Sequence, residues 1–170
     1  DEKRGRGRKI LPTAVKQKGD ELDIQVLTPK RLDDKILIKK LKSLKADLFV
    51  IVAFRMLPKN IWEIPTMGTI NLHTSFLPNY RGASPINRVL INGENSTGIT
   101  TFFINEKIDS GKILLQEKIE LSENTTAAQL HNTLMKKGSQ LLIKTIKEIK
   151  KNNVFPISQD NNLAANNAPK

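Results

Sequence analysis

The chain contains no cysteine. That excludes a disulfide framework, a thiol nucleophile and every thiolate metal site. Only two histidines, one tryptophan and one tyrosine are present. No pair of histidines has the spacing of a metal site. No glycine-rich phosphate motif and no internal repeat occur. No apolar run approaches the roughly 18–20 residues needed to span a bilayer. No signal peptide opens the sequence, so the expectation is a cytoplasmic protein with no membrane partner.

What is present is basic. Lys and Arg number 28 against 17 Asp and Glu in 170 residues, for a net charge of +11. Such a balance makes a polyanionic partner worth testing. Lys, Ile and Asn, all encoded by A/T-rich codons, are abundant, so total charge does not separate codon usage from function. The position of the charge is therefore more informative than its total. Residues 1–18 carry seven positive and two negative side chains, with Gly5 and Gly7 between arginines. This reads as a flexible basic loop. The other end, Gln159 to Lys170, is rich in Asn and Ala and reads as a linker. The expectation is a piece of a longer chain, cut at both ends.

Between these ends the pattern alternates. Ile24–Leu27 is a short strand candidate. Asp33–Lys45 places Leu37, Leu41 and Leu44 at helical spacing. Leu48–Phe54 is an unbroken apolar run, as expected of a parallel strand covered on both faces. A turn or helix follows at Pro58–Ile64, then a strand at Gly68–His73. Ser84–Ile91 reads as a helix, and Ile99–Ile104 and Ile113–Leu121 as strands. A long helix from Thr125 to Lys150 presents Ala127, Leu130, Leu134, Leu141, Ile146 and Ile149 on one face. Alternating strands and helices predict an α/β Rossmann-like open, mostly parallel sheet flanked by helices. Ligands bind such sheets beyond the carboxyl ends of the strands.

His73 stands at such an end. Side chains alternate along a strand, so Asn71 and His73 share one face while Ile70 and Leu72 share the other. An amide can donate to a developing oxyanion and an imidazole can move a proton. The same pair can equally be a polar strand end satisfied by loop backbone. His131, inside the long helix, reads as a surface residue. Asp109, in Asp109-Ser110-Gly111, reads by itself as a β-turn residue. The stretch Thr74–Gly82 is pinned by Pro78 and Gly82 and is too apolar for an idle surface turn.

The run from Asn71 through Ile86 (Asn-Leu-His-Thr-Ser-Phe-Leu-Pro-Asn-Tyr-Arg-Gly-Ala-Ser-Pro-Ile) resembles the signature of the folate-dependent formyltransferases. Thr97-Gly98-Ile99-Thr100 and Asp109-Ser110-Gly111 fall where that family has a Thr-Gly-Val-Thr strand and its catalytic Asp. The resemblance covers most of residues 4–150. Gly5 to Lys16 looks like the basic loop of members that act on methionyl-tRNA. Members acting on amino sugars share the His-to-Pro signature and lack the loop. Phe76 replaces the usual Leu. Ala53–Pro58 is one residue shorter than usual, with Arg55 where Gly is common.

The resemblance implies a formyltransferase fold missing its first strand-helix-strand and a C-terminal β-barrel domain. On that basis residues 1–22 form the basic loop, 23–151 the catalytic core, and 152–170 a linker. It implies 10-formyltetrahydrofolate as co-substrate, initiator methionyl-tRNA as acceptor, no metal, and a monomer. The implied catalytic residues are Asn71, His73 and Asp109. Ala53, Phe54, Ser75, Phe76, Leu77 and Pro78 would line the folate site, and Arg4, Arg6, Arg8 and Lys9 would contact tRNA. An amino-sugar N-formyltransferase and a non-catalytic RNA-binding fragment are the alternatives.

Overall fold

The computed structural model describes residues 2–4 and 9–169. The chain divides into two compact units, residues 1–39 and 40–170. In the first, strands β1 (Glu2–Arg4) and β2 (Lys9–Leu11) pair antiparallel, with Glu2 opposite Leu11. Helix α1 (Ala14–Glu21) follows, its N-terminus capped by the Thr13 hydroxyl, which accepts from the Lys16 N–H. Capping of this kind satisfies an amide that has no partner within the helix. Where a flexible loop was expected over residues 1–18, the described part is therefore a hairpin ladder and a helix. Arg6 and Arg8 lie outside the described residues. The strand expected at Ile24–Leu27 does not form, and that segment runs without regular pairing. The Ile24 N–H instead closes the end of α1 on the Gly19 carbonyl at 2.8 Å, and Ile24, Gln25 and Leu27 are exposed, so the segment's backbone is open to water rather than to a partner strand.

Helix α2 (Lys35–Ser43) leads into the second unit. Its sheet has the order β3-β4-β6-β7, built from β3 (Phe49–Val52), β4 (Thr69–His73), β6 (Ser96–Phe103) and β7 (Ile113–Glu120). Short helices α3 (Lys59–Trp62) and α4 (Pro85–Ile91) sit in the connections, and β5 (Arg81–Gly82) lies between β4 and α4. The parallel pairing expected holds for β3 with β4, with Phe49 opposite Thr69. β6 runs antiparallel to both β4 and β7, so the sheet is mixed. A β6–β7 hairpin closed by a turn can only be antiparallel, and the apolar pattern alone does not reveal this. β3 also departs from the expected cover on both faces. Among the described residues it is one of the two edge strands of this sheet, and Val50 and Val52 are 38% and 52% exposed.

Helix α5 (Ala127–Lys150) packs along the sheet. A capping box starts it: Thr126 accepts from the Gln129 N–H, and the Gln129 side chain accepts from the Thr126 N–H. Leu130, Leu134, Leu141 and Ile149 are buried as expected, together with Gly138 and Thr145, while Ala127 is exposed. The Thr145 hydroxyl reaches Thr101 on β6 at 2.8 Å, which satisfies both groups in the core. Ile70 and Leu72 of β4 face this side. Ile70 packs with Leu114 and Ile149, and Leu72 packs against the cluster of Val89, Ile99, Leu130 and Leu134.

The stretch read as a linker is partly held against the core. Ile157 exchanges two backbone hydrogen bonds with Ile113 at 2.8 and 2.9 Å. A 3-10 turn (Asn161–Leu163) precedes strand β8 (Asn167–Ala168), which pairs with β5. Gly82 has a φ of +124°, and a Cβ there would collide with the Ala168 carbonyl. A glycine is therefore required where the two strands meet.

Candidate active site

The polar face of β4 carries the predicted constellation. His73, 7% exposed, lies at the strand's carboxyl end. Its Nε2 stands 2.8 Å from the carbonyl oxygen of Tyr80. A carbonyl only accepts, so Nε2 must hold the hydrogen, and in the neutral ring Nδ1 is the bare nitrogen. Nδ1 faces Oδ2 of Asp109 at 3.7 Å. That is too long for a direct hydrogen bond. Oδ2 instead accepts from the Gly82 N–H at 2.9 Å. Asp109 has a φ of +48°, an uncommon backbone region for a residue with a side chain. The Asp-Ser-Gly turn places the Asp109 carboxylate beside His73.

Asn71 lies two residues before His73 on the same face. Its Oδ1 is buried and has no hydrogen-bond partner among the described residues. Buried polar atoms are normally paired, so an orphan of this kind beside an imidazole and a carboxylate fits a site that hydrogen-bonds a substrate.

The loop after His73 is tied down from behind. The Ser75 hydroxyl donates to the Asn79 carbonyl at 2.6 Å, and the Thr100 hydroxyl donates to the Ser75 carbonyl at 2.7 Å. The Leu77 N–H donates to Thr100 Oγ1, and Gln116 Nε2 donates to the Leu77 carbonyl. Ser75, Leu77 and Pro78 are buried, whereas Phe76 is exposed. Of the loop residues read as lining a folate site, Phe76 is the one that presents its side chain outward. Ala53 and Phe54, also read as folate-lining, are exposed. Ala53 has a φ of +47°, and the Arg55 guanidinium lies 5.6 Å from the centre of the Phe54 ring. His131 is exposed on α5, as its surface reading anticipates.

A cleft of about 760 Å³ adjoins the Asp109 turn. Trp62, Arg81, Asn105, Ile108, Ser110 and Gln159 are among the residues that line it, and Asn71, His73 and Asp109 are not. Four contributions were not assigned from the sequence: the Tyr80 carbonyl, the Gly82 N–H, and the side chains of Arg81 and Gln159. The Tyr80 carbonyl, the Gly82 N–H and the Arg81 side chain lie inside the signature run; the two backbone roles leave no mark on residue type, and the Arg81 partner is 78 positions away. Gln159 had no signal at all.

A family model described as formyl transferase matches residues 1–146. The chain belongs to the formyl transferase family. It is 49% identical over 163 residues to the methionyl-tRNA formyltransferase of Flavobacterium johnsoniae, covering 95% of this chain and 52% of that protein. It is 44% identical over 163 residues to the enzyme of the same name from Clostridium beijerinckii, covering 95% and 53%. A solved sugar 3N-formyl transferase, crystallised in the presence of dTDP and 5-N-formyl-THF, superposes with a TM-score of 0.72 at 22% identity. That match covers 92% of this chain and 53% of the other, and it shows the shared formyl transferase fold. The chain spans about half the length of the curated relatives it matches.

Proposed function

We propose that the protein to which this chain belongs transfers the formyl group of 10-formyltetrahydrofolate to the α-amine of methionyl-initiator tRNA, in the cytoplasm. The observation that carries this reading is the joint placement of Asn71, His73 and Asp109 around one strand end, in a chain 49% identical to a methionyl-tRNA formyltransferase. The bound folate supplies an activated formyl carbon.

The residues have separable roles. The Asn71 amide would donate to the formyl oxygen as it gains negative charge, and its Oδ1 would accept an N–H of the attacking amine. His73 Nδ1 takes the proton that this amine loses and returns it to the leaving N10 nitrogen. The Asp109 carboxylate, 3.7 Å away, stabilises the imidazolium formed between those two transfers. One C–N bond forms, one breaks, and one proton moves between the two nitrogens. Phe76 and Phe54 are the exposed aromatics suited to an apolar wall for the folate rings.

The test is a formyl-transfer assay on the full-length protein with 10-formyltetrahydrofolate and either charged initiator tRNA or a nucleotide-linked amino sugar. Formylation of methionyl-tRNA is expected. Transfer to the amino sugar alone would replace the acceptor class while leaving the mechanism in place.

A further inference from the structure

We propose that Gln159 is a positioning residue for formyl transfer, its carboxamide holding the Asp109 turn in the conformation that presents the carboxylate to His73. The inference rests on the functional reading above and adds to it a residue that lies 50 positions from Asp109 in sequence.

Gln159 Nε2 donates to two carbonyls, that of Asp109 at 2.9 Å and that of Gly111 at 2.8 Å. These flank Ser110, so one amide group clamps both ends of the turn. The turn needs holding, because Asp109 occupies a left-handed backbone region that a non-glycine residue adopts only when its surroundings require it. Gly111 is pressed so closely against the Phe103 carbonyl that a Cβ has no room, which leaves the turn little freedom on that side.

The other end of the Gln159 amide is also fixed. Its Oε1 accepts from Arg81 Nε at 3.0 Å and from Nη2 at 2.6 Å, and Arg81 Nη1 donates to Asn161 at 3.0 Å. Arg81 directly precedes Gly82, whose N–H holds the Asp109 carboxylate. The contacts therefore close into a ring: the Arg81 side chain to Gln159, Gln159 to the Asp109 backbone, and the Asp109 side chain to Gly82. The segment carrying Gln159 is anchored on both sides, by the Ile157–Ile113 pairing and by β8. A strap of this kind can transmit position, because it is tied to the sheet rather than to the turn alone. The oxygen of Gln159 serves Arg81 and the nitrogen serves the Asp109 turn, so the two functions can be separated by substitution.

The experiment uses the full-length protein and compares Gln159→Met, Gln159→Glu, Asp109→Ala and the double variant Gln159→Met/Asp109→Ala in single-turnover formyl transfer. Gln159→Met removes both functions at similar volume. Gln159→Glu keeps the acceptor for Arg81 and loses the donor to the turn. Both are expected to lose about 10²-fold in turnover, the scale of a misplaced catalytic group, with the Michaelis constant for the folate donor unchanged. In the Asp109→Ala background Gln159→Met should cost nothing further, because residues acting as one unit are non-additive. Hydrogen exchange at residues 108–112 should quicken in both Gln159 variants even if turnover is too slow to measure.

Three outcomes overturn the proposal: multiplicative losses in the double variant, near-normal turnover in Gln159→Glu, or a rise confined to the folate Michaelis constant. The last would make Gln159 a wall of the cleft and nothing more. If the parent protein shows no formyl transfer to any amine acceptor, the functional reading falls and the positioning role falls with it. An active parent with additive losses removes Gln159 alone.

Discussion

Which nitrogen of His73 carries the hydrogen is decided by a backbone carbonyl rather than by another side chain. Because the Tyr80 carbonyl occupies Nε2, Nδ1 is the nitrogen left to exchange a proton with substrate. The consequence is a sharp expectation for substitutions. Asn71→Ala, His73→Ala and Asp109→Ala should each lower turnover of the full-length protein by roughly 10²–10⁴-fold, the range for losing an oxyanion donor or an acid/base group. His73→Ala also leaves the buried Tyr80 carbonyl without its donor, a cost of about 1–3 kcal/mol, so turnover is compared well below the variant's unfolding temperature. Near-parental turnover in that variant would remove the mechanism. Strand alternation alone was enough to place Asn71 and His73 together, since the period of two leaves no other choice. The Asp109 partnership was legible only through the family signature, because His73 and Asp109 meet through a fold-level contact that no local pattern encodes.

Strands and helices set these side chains through ties that differ in how visible they are. The α5 face was readable because a 3.6-residue period of leucines has one structural meaning. Thr145 escaped that reading: a hydroxyl looks like a surface residue until Thr101 is found opposite it. Strand direction escaped as well, since parallel and antiparallel partners bury similar side chains and the connection decides between them. The loop between β4 and α4 shows how such ties act together. The Tyr80 hydroxyl donates to Glu94 and accepts from Asn92 at 2.9 Å and Asn166 at 3.3 Å. Burial first, then the Glu94 side chain, push the phenol above its ordinary value of 10.0. The folded chain thus keeps the phenol proton at a pH where the unfolded chain gives it up. The stability this contributes is complete below pH 10 and is lost as pH rises through the folded-state value. Tyr80→Phe should cost about 1–2 kcal/mol near neutrality, from polar groups left without a partner. It should also flatten the decline of stability above pH 10, measured by urea unfolding at several pH values. An equal alkaline decline in both proteins would rule out Tyr80 as its source.

The distribution of charge along the whole chain separates a background from a local excess. Residues 1–18 hold a net +5 and the remaining 152 hold +6. A codon bias acting evenly would not concentrate charge in this way. Arginine gives the stronger argument, because only seven occur and three of them fall between residues 4 and 8. Guanidinium groups pair with phosphate through two parallel hydrogen bonds. Glycines between them let the backbone follow a curved polyanion. The signal lies in composition and position alone, since residues 5–8 are outside the described structure. In the full-length protein, Arg6→Ala and Arg8→Ala are expected to raise the Michaelis constant for tRNA and leave folate affinity unchanged. Each lost phosphate contact should reduce the slope of log affinity against log salt by up to about one unit. The double variant, titrated with tRNA across a salt series, decides the matter. If affinity and slope both stay at parental values, the arginines are a solvated tail and the acceptor must be held elsewhere in the longer protein.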